Sequence, residues 1–312
     1  MLEQSTVVRS SCVQGSPNVS ADVARAVGSQ TSVLLMLAAV LVVVGCSRDP
    51  APSPSEPSQN KATQAVADDK TAAAVTDHHY FHVTEKPHSA DWGYTGELGP
   101  AHWADRSPDY VLARTGKHQS PIDIAHAVNK QLAPIVFDYH PAQIDLVYDG
   151  HTIKEIEERG SFVEIEDNRF ELKQFHFHSP SEHTVDGKHF EMEMHLVHKN
   201  AEGHVAVVGL LIKQGRENAA FETIWDYLPT PENRERKVEA TVDASALLPQ
   251  DRAYYRYQGS FTTPPCTEGV LWVVLKTPVE LSAAQIEAFR KVIHGNNRPV
   301  QALNGREVDA AP

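Results

Sequence analysis

Apolar and polar positions alternate along two stretches of this chain, ELKQFHFH (171–178) and FEMEMHLVH (190–198). Apolar residues crowd two more, VAVVGLLIK (205–213) and VLWVVLK (270–276). All four read as strands. Asp186-Gly187, between the first two, is a turn dipeptide. Helical spacing occurs twice. Over about 217–228 it places Phe221, Ile224, Trp225 and Leu228 on one face. A second helix starts at Ser282, where S-A-A-Q makes a capping box with Gln285 and where Leu281 and Ile286 can staple the entry. Ile286, Phe289 and Ile293 share one face of it, and Gly295 is its stop. Strand signals outnumber helix signals, so the predicted class is mainly β (α+β), mostly antiparallel, with peripheral helices.

The pattern also divides the chain. Residues 33–45, VLLMLAAVLVVVG, are apolar throughout but too short for a membrane span, which needs about 20 residues. The run has the length of a signal-peptide apolar region and leads into Val43-Val44-Gly45-Cys46-Ser47, which resembles a bacterial lipobox. Residues 1–45 are therefore expected to be a lipoprotein-type signal peptide, with Cys46 lipidated. Residues 46–77 follow as a flexible tether rich in Ser, Pro and Ala, with almost nothing to bury. Aromatics, glycines and alternating patterns begin near His79, which sets the folded domain at 78–310. The expected location is the cell envelope, on the periplasmic side or at the outer membrane, held by a lipid anchor alone. Ser47 is not the aspartate that favours inner-membrane retention, which points to the outer membrane.

Charge narrows the partners. The 312 residues carry a formal net charge of −13, unlike a nucleic-acid binder, which replaces phosphate counterions with basic patches. Three cysteines, Cys12, Cys46 and Cys266, are too few and too odd in number for a disulfide scaffold.

The chemistry concentrates in Gln174-Phe175-His176-Phe177-His178. Side chains alternate between the faces of a strand, so Gln174, His176 and His178 share one face and the two phenylalanines the other. One such pair of histidines is often only a polar strand face. Here a third histidine, His195, recurs in a second alternating strand, with Glu193 two residues before it, as Gln174 stands two before His176. Three neutral imidazoles leave one tetrahedral position open on zinc, which is the catalytic rather than the structural arrangement. Ligating histidines need an acceptor for the other ring nitrogen, and Gln174 and Glu193 are placed to provide it for His176 and His195.

The segment QFHFHSPSEHTVDGKHFEMEMHLVH (174–198) resembles the zinc-binding core of the alpha-carbonic anhydrases. The resemblance extends over nearly the whole domain. It includes Trp92-Gly93-Tyr94 with Gly99-Pro100-Ala101-His102-Trp103, Gln119-Ser120-Pro121-Ile122-Asp123-Ile124, Ser260-Phe261-Thr262-Thr263-Pro264-Pro265 and Asn297-Arg298-Pro299-Val300-Gln301. It implies a large, twisted, mainly antiparallel sheet with zinc at the base of a conical cleft, and a lyase activity: reversible hydration of carbon dioxide to bicarbonate and a proton through zinc-bound hydroxide.

The roles implied are specific. His176, His178 and His195 would hold zinc, which lowers the pKa of bound water to about 7. Thr262 would accept a hydrogen bond from the hydroxide and donate one to Glu182, and Thr263 would contact bicarbonate or ordered water. Val197, Val207, Phe261 and Trp272 would form the apolar wall for the substrate. Many animal members have leucine where Phe261 stands. His151 would shuttle the proton, with Tyr94 and Asp149 ordering the water between. Many members have asparagine at the position of Asp149, and an acid there would raise the pKa of His151. Sulfonamide and anion inhibitors are expected. Exported bacterial members often pair a cysteine at the position of Cys266 with one near Ala113. That partner is missing here, so Cys266 is expected to be free. Two other readings, a non-catalytic binding module on the same fold and a zinc esterase, are separated from the first by zinc content and by ester turnover.

Overall fold

The computed structural model describes residues 91–312. The apolar run, Cys46, the tether and the domain boundary near residue 78 lie outside the described residues. The main strands are β1 (Ala142–Tyr148), β2 (Ile153–Ile156), β3 (Asn168–His178), β4 (Met192–Lys199), β5 (Val205–Gln214), β6 (Glu235–Val242), β7 (Tyr254–Ser260), β8 (Glu268–Leu281) and β9 (Asp309–Ala310). They belong to a 12-stranded sheet in the order β6-β1-β2-β3-β4-β5-β8-β7-β9, with Val128–Asn129 beyond β9. Val136–Asp138 and Phe162–Ile165 attach beside β3. Pairing is antiparallel except between β5 and β8 and between β9 and Val128–Asn129. The mainly β, mostly antiparallel class expected from the sequence is the one found.

The four strands read from the pattern are β3, β4, β5 and β8, and they are consecutive neighbours at the centre of the sheet. Their period of two sorts side chains onto two cores. Phe175, Phe177, Met194, Leu196, Val208 and Leu210 pack on one face in the larger core. Val197, Val207, Leu211, Val270, Trp272 and Val274 pack on the other. Strands buried on both faces need apolar residues at nearly every position, which is why β5 and β8 read as unbroken apolar runs.

Register does the rest. In the antiparallel β3–β4 pair, His176 stands opposite His195, and His178 opposite Glu193. A slip of one residue would turn His195 to the opposite face, into the core that holds Met194 and Leu196. The connection between the two strands carries a small hairpin, Thr184–Val185 with Lys188–His189. Its turn residues, Asp186 and Gly187, both have positive φ (49° and 73°), the conformation of the tight hairpin turns that Asp-Gly favours.

The C-terminal helix α1 (Ala283–Val292) has the expected start. The Ser282 side chain accepts from the Gln285 backbone N–H, and Gln285 Oε1 accepts from the Ser282 backbone N–H. Leu281 and Ile286 are both buried at its entry. The other expected helix is much shorter than residues 217–228. A 3-10 turn, Ala219–Phe221, leads into one helical turn, Glu222–Trp225. Asn218 is held outside the helix by reciprocal hydrogen bonds with Gln285, and Pro229 lies just beyond the other end. The apolar face survives the shortening: Phe221 and Ile224 are buried, with Trp225 and Leu228 packed against the same core.

Candidate metal centre

The three histidines converge as their spacing and register require. One ring nitrogen from each of His176, His178 and His195 lies within 4.8 Å of the others. The ring centroids are 4.6–5.2 Å apart. The remaining nitrogens are committed elsewhere. His176 Nδ1 donates to Gln174 Oε1 at 2.8 Å, His178 Nδ1 to the Asn296 carbonyl at 2.7 Å, and His195 Nε2 to Glu193 Oε1 at 2.9 Å. Each donation fixes the tautomer and leaves the opposite nitrogen with its lone pair facing the shared space.

Buried His178 Nε2 has no hydrogen-bond partner. A polar atom stranded in this way is costly unless something occupies the space it faces. A tetrahedral divalent cation meets that need, and neutral imidazoles suit zinc. Burial keeps the histidines neutral. His176 and His195 fall below the usual histidine range because burial disfavours their charge, and His178 falls to about 4 for the same reason.

Glu193 organises this centre from behind. It is fully buried, yet its carboxyl is held well below the usual range: burial pushes it up, and His183 and His195 more than offset that. Its Oε1 accepts from His183 Nδ1 at 2.7 Å as well as from His195, and its Oε2 accepts from the backbone N–H groups of Glu182 and His183. His183 continues the chain through Tyr257 OH to Ser120 Oγ. With both of its nitrogens engaged, His183 supports the centre without ligating. Sequence reasoning missed His183, although it directly follows Glu182 in the chain, and it missed the Asn296 carbonyl, a backbone acceptor that no side-chain pattern reveals.

Glu182 is fully buried and accepts from the Arg298 backbone N–H at 2.8 Å. Its second oxygen has no hydrogen-bond partner and lies 3.9 Å from His195 Nδ1. Burial pushes the carboxyl up to about 7, against the opposing pull of His195, the Arg298 N–H and the Thr262 hydroxyl.

The ligands open onto a cleft of about 820 Å³, including space continuous with solvent. It collects every predicted pocket residue: Val197, Val207, Phe261, Thr263 and Trp272, with Thr262, Tyr94, Asp149 and His151. Apolar and polar groups line it together: Val197 follows His195 on β4, Val207 and Trp272 come from β5 and β8, and Phe261 precedes Thr262 and Thr263 in one loop. His151 stacks flat on Trp92, with centroids 3.7 Å apart and planes 6° from parallel.

Asp149 is held by several groups within the protein. Its Oδ1 accepts from the His151 and Thr152 backbone N–H groups, and its Oδ2 pairs with Lys154 Nζ at 2.7 Å. Burial pushes its carboxyl up, but Lys154 and the two N–H groups outweigh this and hold it below the usual range. Lys154, a cleft residue that sequence reasoning did not single out, comes from β2 directly opposite His176.

Cys266 is buried and free. It packs beside Trp92, Trp103, Tyr110 and Ala113, so the place of the missing partner is filled by a methyl group.

Comparison with known proteins agrees with this geometry. The family described as eukaryotic-type carbonic anhydrase matches residues 98–312. The carbonic anhydrase of Pectobacterium carotovorum is 44% identical over 219 residues, covering 70% of this chain and 90% of its own length. That of Klebsiella pneumoniae is 45% identical over 223 residues, covering 70% and 91%. Among solved structures, the alpha-carbonic anhydrase of Thermovibrio ammonificans, in complex with the inhibitor sulfanilamide, superposes with a TM-score of 0.69 at 49% identity, covering 71% of this chain and 99% of its own. The chain belongs to the alpha-carbonic anhydrase family, zinc enzymes that reversibly hydrate carbon dioxide to bicarbonate and a proton.

Proposed function

We propose a division of labour for this activity: His176, His178 and His195 hold the metal, Thr262 and Glu182 orient the attacking oxygen, and His151 carries the proton out. The observation that carries the reading is the convergence of three neutral imidazoles whose outward nitrogens are already committed. Zinc, when bound, supplies a water acidic enough to ionise near neutral pH.

The chain's own residues account for the rest. Glu182 accepts a hydrogen bond from the Thr262 hydroxyl, which leaves the threonine oxygen free to accept from the nucleophile and aim its lone pair. Carbon dioxide needs no hydrogen bond, and Val197, Val207, Phe261 and Trp272 give it a surface from which water gains little. Thr263, at the same wall, contacts the bicarbonate product. His151, which lines the cleft, is the residue type suited to accept a proton near neutral pH and pass it to buffer. The sulfanilamide complex of the Thermovibrio relative supports the expectation that sulfonamides, and anions, enter this cleft.

The lipobox-like Gly45-Cys46-Ser47 and the tether after it support an exported enzyme anchored by lipid at the cell envelope, in the periplasm or at the outer membrane. Radiolabelled palmitate should enter the wild-type chain and not Cys46→Ala.

Stopped-flow hydration by the full chain, with and without zinc and beside His195→Ala, tests the central reading. Zinc-dependent turnover that disappears in the variant supports it. A folded, zinc-loaded protein without turnover would overturn it.

A further inference from the structure

The cleft contains one ion pair that the hydration step does not use. Lys154 Nζ sits 2.7 Å from Asp149 Oδ2, with both side chains about two-thirds buried or more (35% and 27% exposed). The other Asp149 oxygen accepts the backbone N–H groups of His151 and Thr152 at 2.8 and 2.9 Å. One carboxylate therefore ties the turn bearing His151 to the strand beside His176. Gly150, between the two, has φ +99°, a conformation that favours glycine, so the turn is shaped for this cap. An asparagine at 149 would still cap the backbone with its carbonyl oxygen. Only a carboxylate also neutralises a lysine.

We propose that Lys154 is a positioning residue for proton export: its ion pair with Asp149 fixes the turn that presents His151 and balances the charge beside the imidazole. The proposal rests on the shuttle role proposed above for His151.

Several neighbours of His151 bear on its charge. Trp92 covers one ring face, and the Tyr94 ring is 6.5 Å away. Tyr94 is neutral at ordinary pH, its hydroxyl pushed well above the usual range by burial and then by Glu182, Asp149 and Cys266. The Asn296 amide donates to the His151 carbonyl. Arg234 also reaches the turn, its Nη2 3.1 Å from where a Cβ on Gly150 would lie. Asp149, Lys154 and Arg234 are charged side chains at this turn. Removing Lys154 leaves the anion unbalanced two residues from His151. Removing the Asp149 charge leaves the cation unbalanced.

These two changes must act in opposite directions, whereas simple loosening of the turn would move both variants the same way. The test uses the zinc-loaded full chain as Lys154→Gln, Asp149→Asn and the double variant, with His151→Ala as reference. The first readout is the NMR titration of the His151 imidazole, assigned by its loss in His151→Ala. The second is the pH profile of kcat beside that of kcat/KM. The His151 midpoint should rise by about half a pH unit in Lys154→Gln, fall by about as much in Asp149→Asn, and return towards wild type in the double variant. The kcat profile should follow these midpoints, with the shifts in kcat rather than kcat/KM. Shifts of one sign, no shifts, or a change confined to kcat/KM would overturn the proposal. If His151→Ala leaves kcat intact at low buffer, the shuttle reading itself fails, and the NMR midpoints still decide whether the ion pair tunes the imidazole.

Discussion

Gly209 lies directly opposite His195 in the β4–β5 ladder, and a Cβ built on it would stand 3.1 Å from Glu193 Oε1. The second-nearest atom is Val274 Cγ2 at 3.5 Å. Glycine here makes room for the carboxylate oxygen that orients His195. Gly209→Ala should push Glu193 by a few tenths of an ångström and weaken its hold on the imidazole. The expected result is a zinc affinity about tenfold lower, with about 1–2 kcal/mol lost in stability. Chelator competition and urea unfolding measure the two effects. Unchanged zinc affinity would show that Glu193 has slack that the close approach conceals.

The two side-chain acceptors behind the ligands should differ in what they cost to remove. Gln174 is half-buried and serves His176. Glu193 is fully buried and accepts from four groups. Gln174→Ala should lower zinc affinity about tenfold and leave the fold nearly as stable. Glu193→Ala should lose more affinity and also about 3–5 kcal/mol of stability, because it strands His183, His195 and two backbone donors in the interior. Equal stability losses in the two variants would contradict this reading of Glu193.

These residues show what the sequence made visible. The period-two alternation of β3 and β4 is enough to place His176, His178 and His195 on matching faces, because burial on the opposite face leaves a strand no other choice. Helix α1 was legible because its capping box is local. The helix over 217–228 was not, because a contact between Asn218 and Gln285, 67 positions apart, decides where it starts. The same reason hid Lys154: a lysine in TIKEIE reads as a solvent-facing strand residue until the turn bearing Asp149 folds against it. His183 escaped because the turn between β3 and β4, not a strand pattern, brings it to Glu193, and the Asn296 carbonyl because it meets His178 from 118 positions away.

Cys266 should be chemically silent in the native protein. It is completely buried, and burial pushes its thiol up to about 11, despite the opposing influence of Arg298. Reactive thiols are exposed and ionise readily. An aromatic disulfide reagent should leave Cys266 unmodified at pH 8 and modify it once the chain unfolds in guanidinium, as read by peptide mass. A native internal disulfide at Cys266, or rapid native labelling, would refute this.

The last prediction concerns two carboxyls on the far side of the sheet from the cleft-facing Lys154. Glu155 is fully buried, turned by strand alternation to the same face as Ile153, and Glu157, just past the end of β2, is 9% exposed. Each has one oxygen without a hydrogen-bond partner by geometry. Burial, and then the charge of Glu157, push Glu155 up to about 8, so it holds the proton at neutral pH. Asp145 repels charge on Glu155, while Glu158 and Asp243 repel charge on Glu157. A folded-state pKa raised above the unfolded value gives stability that is fully present below about 4.5, the ordinary glutamate value, and is lost as pH rises through about 8. Within that window the loss from this site approaches about 1.4 kcal/mol per pH unit. Glu155→Gln keeps the shape and cannot ionise. Urea unfolding at pH 5.5, 7 and 8.5 should therefore show the variant gaining on wild type as pH rises, and equal slopes for the two proteins would mean that the pair ionises as freely in the fold as in the unfolded chain.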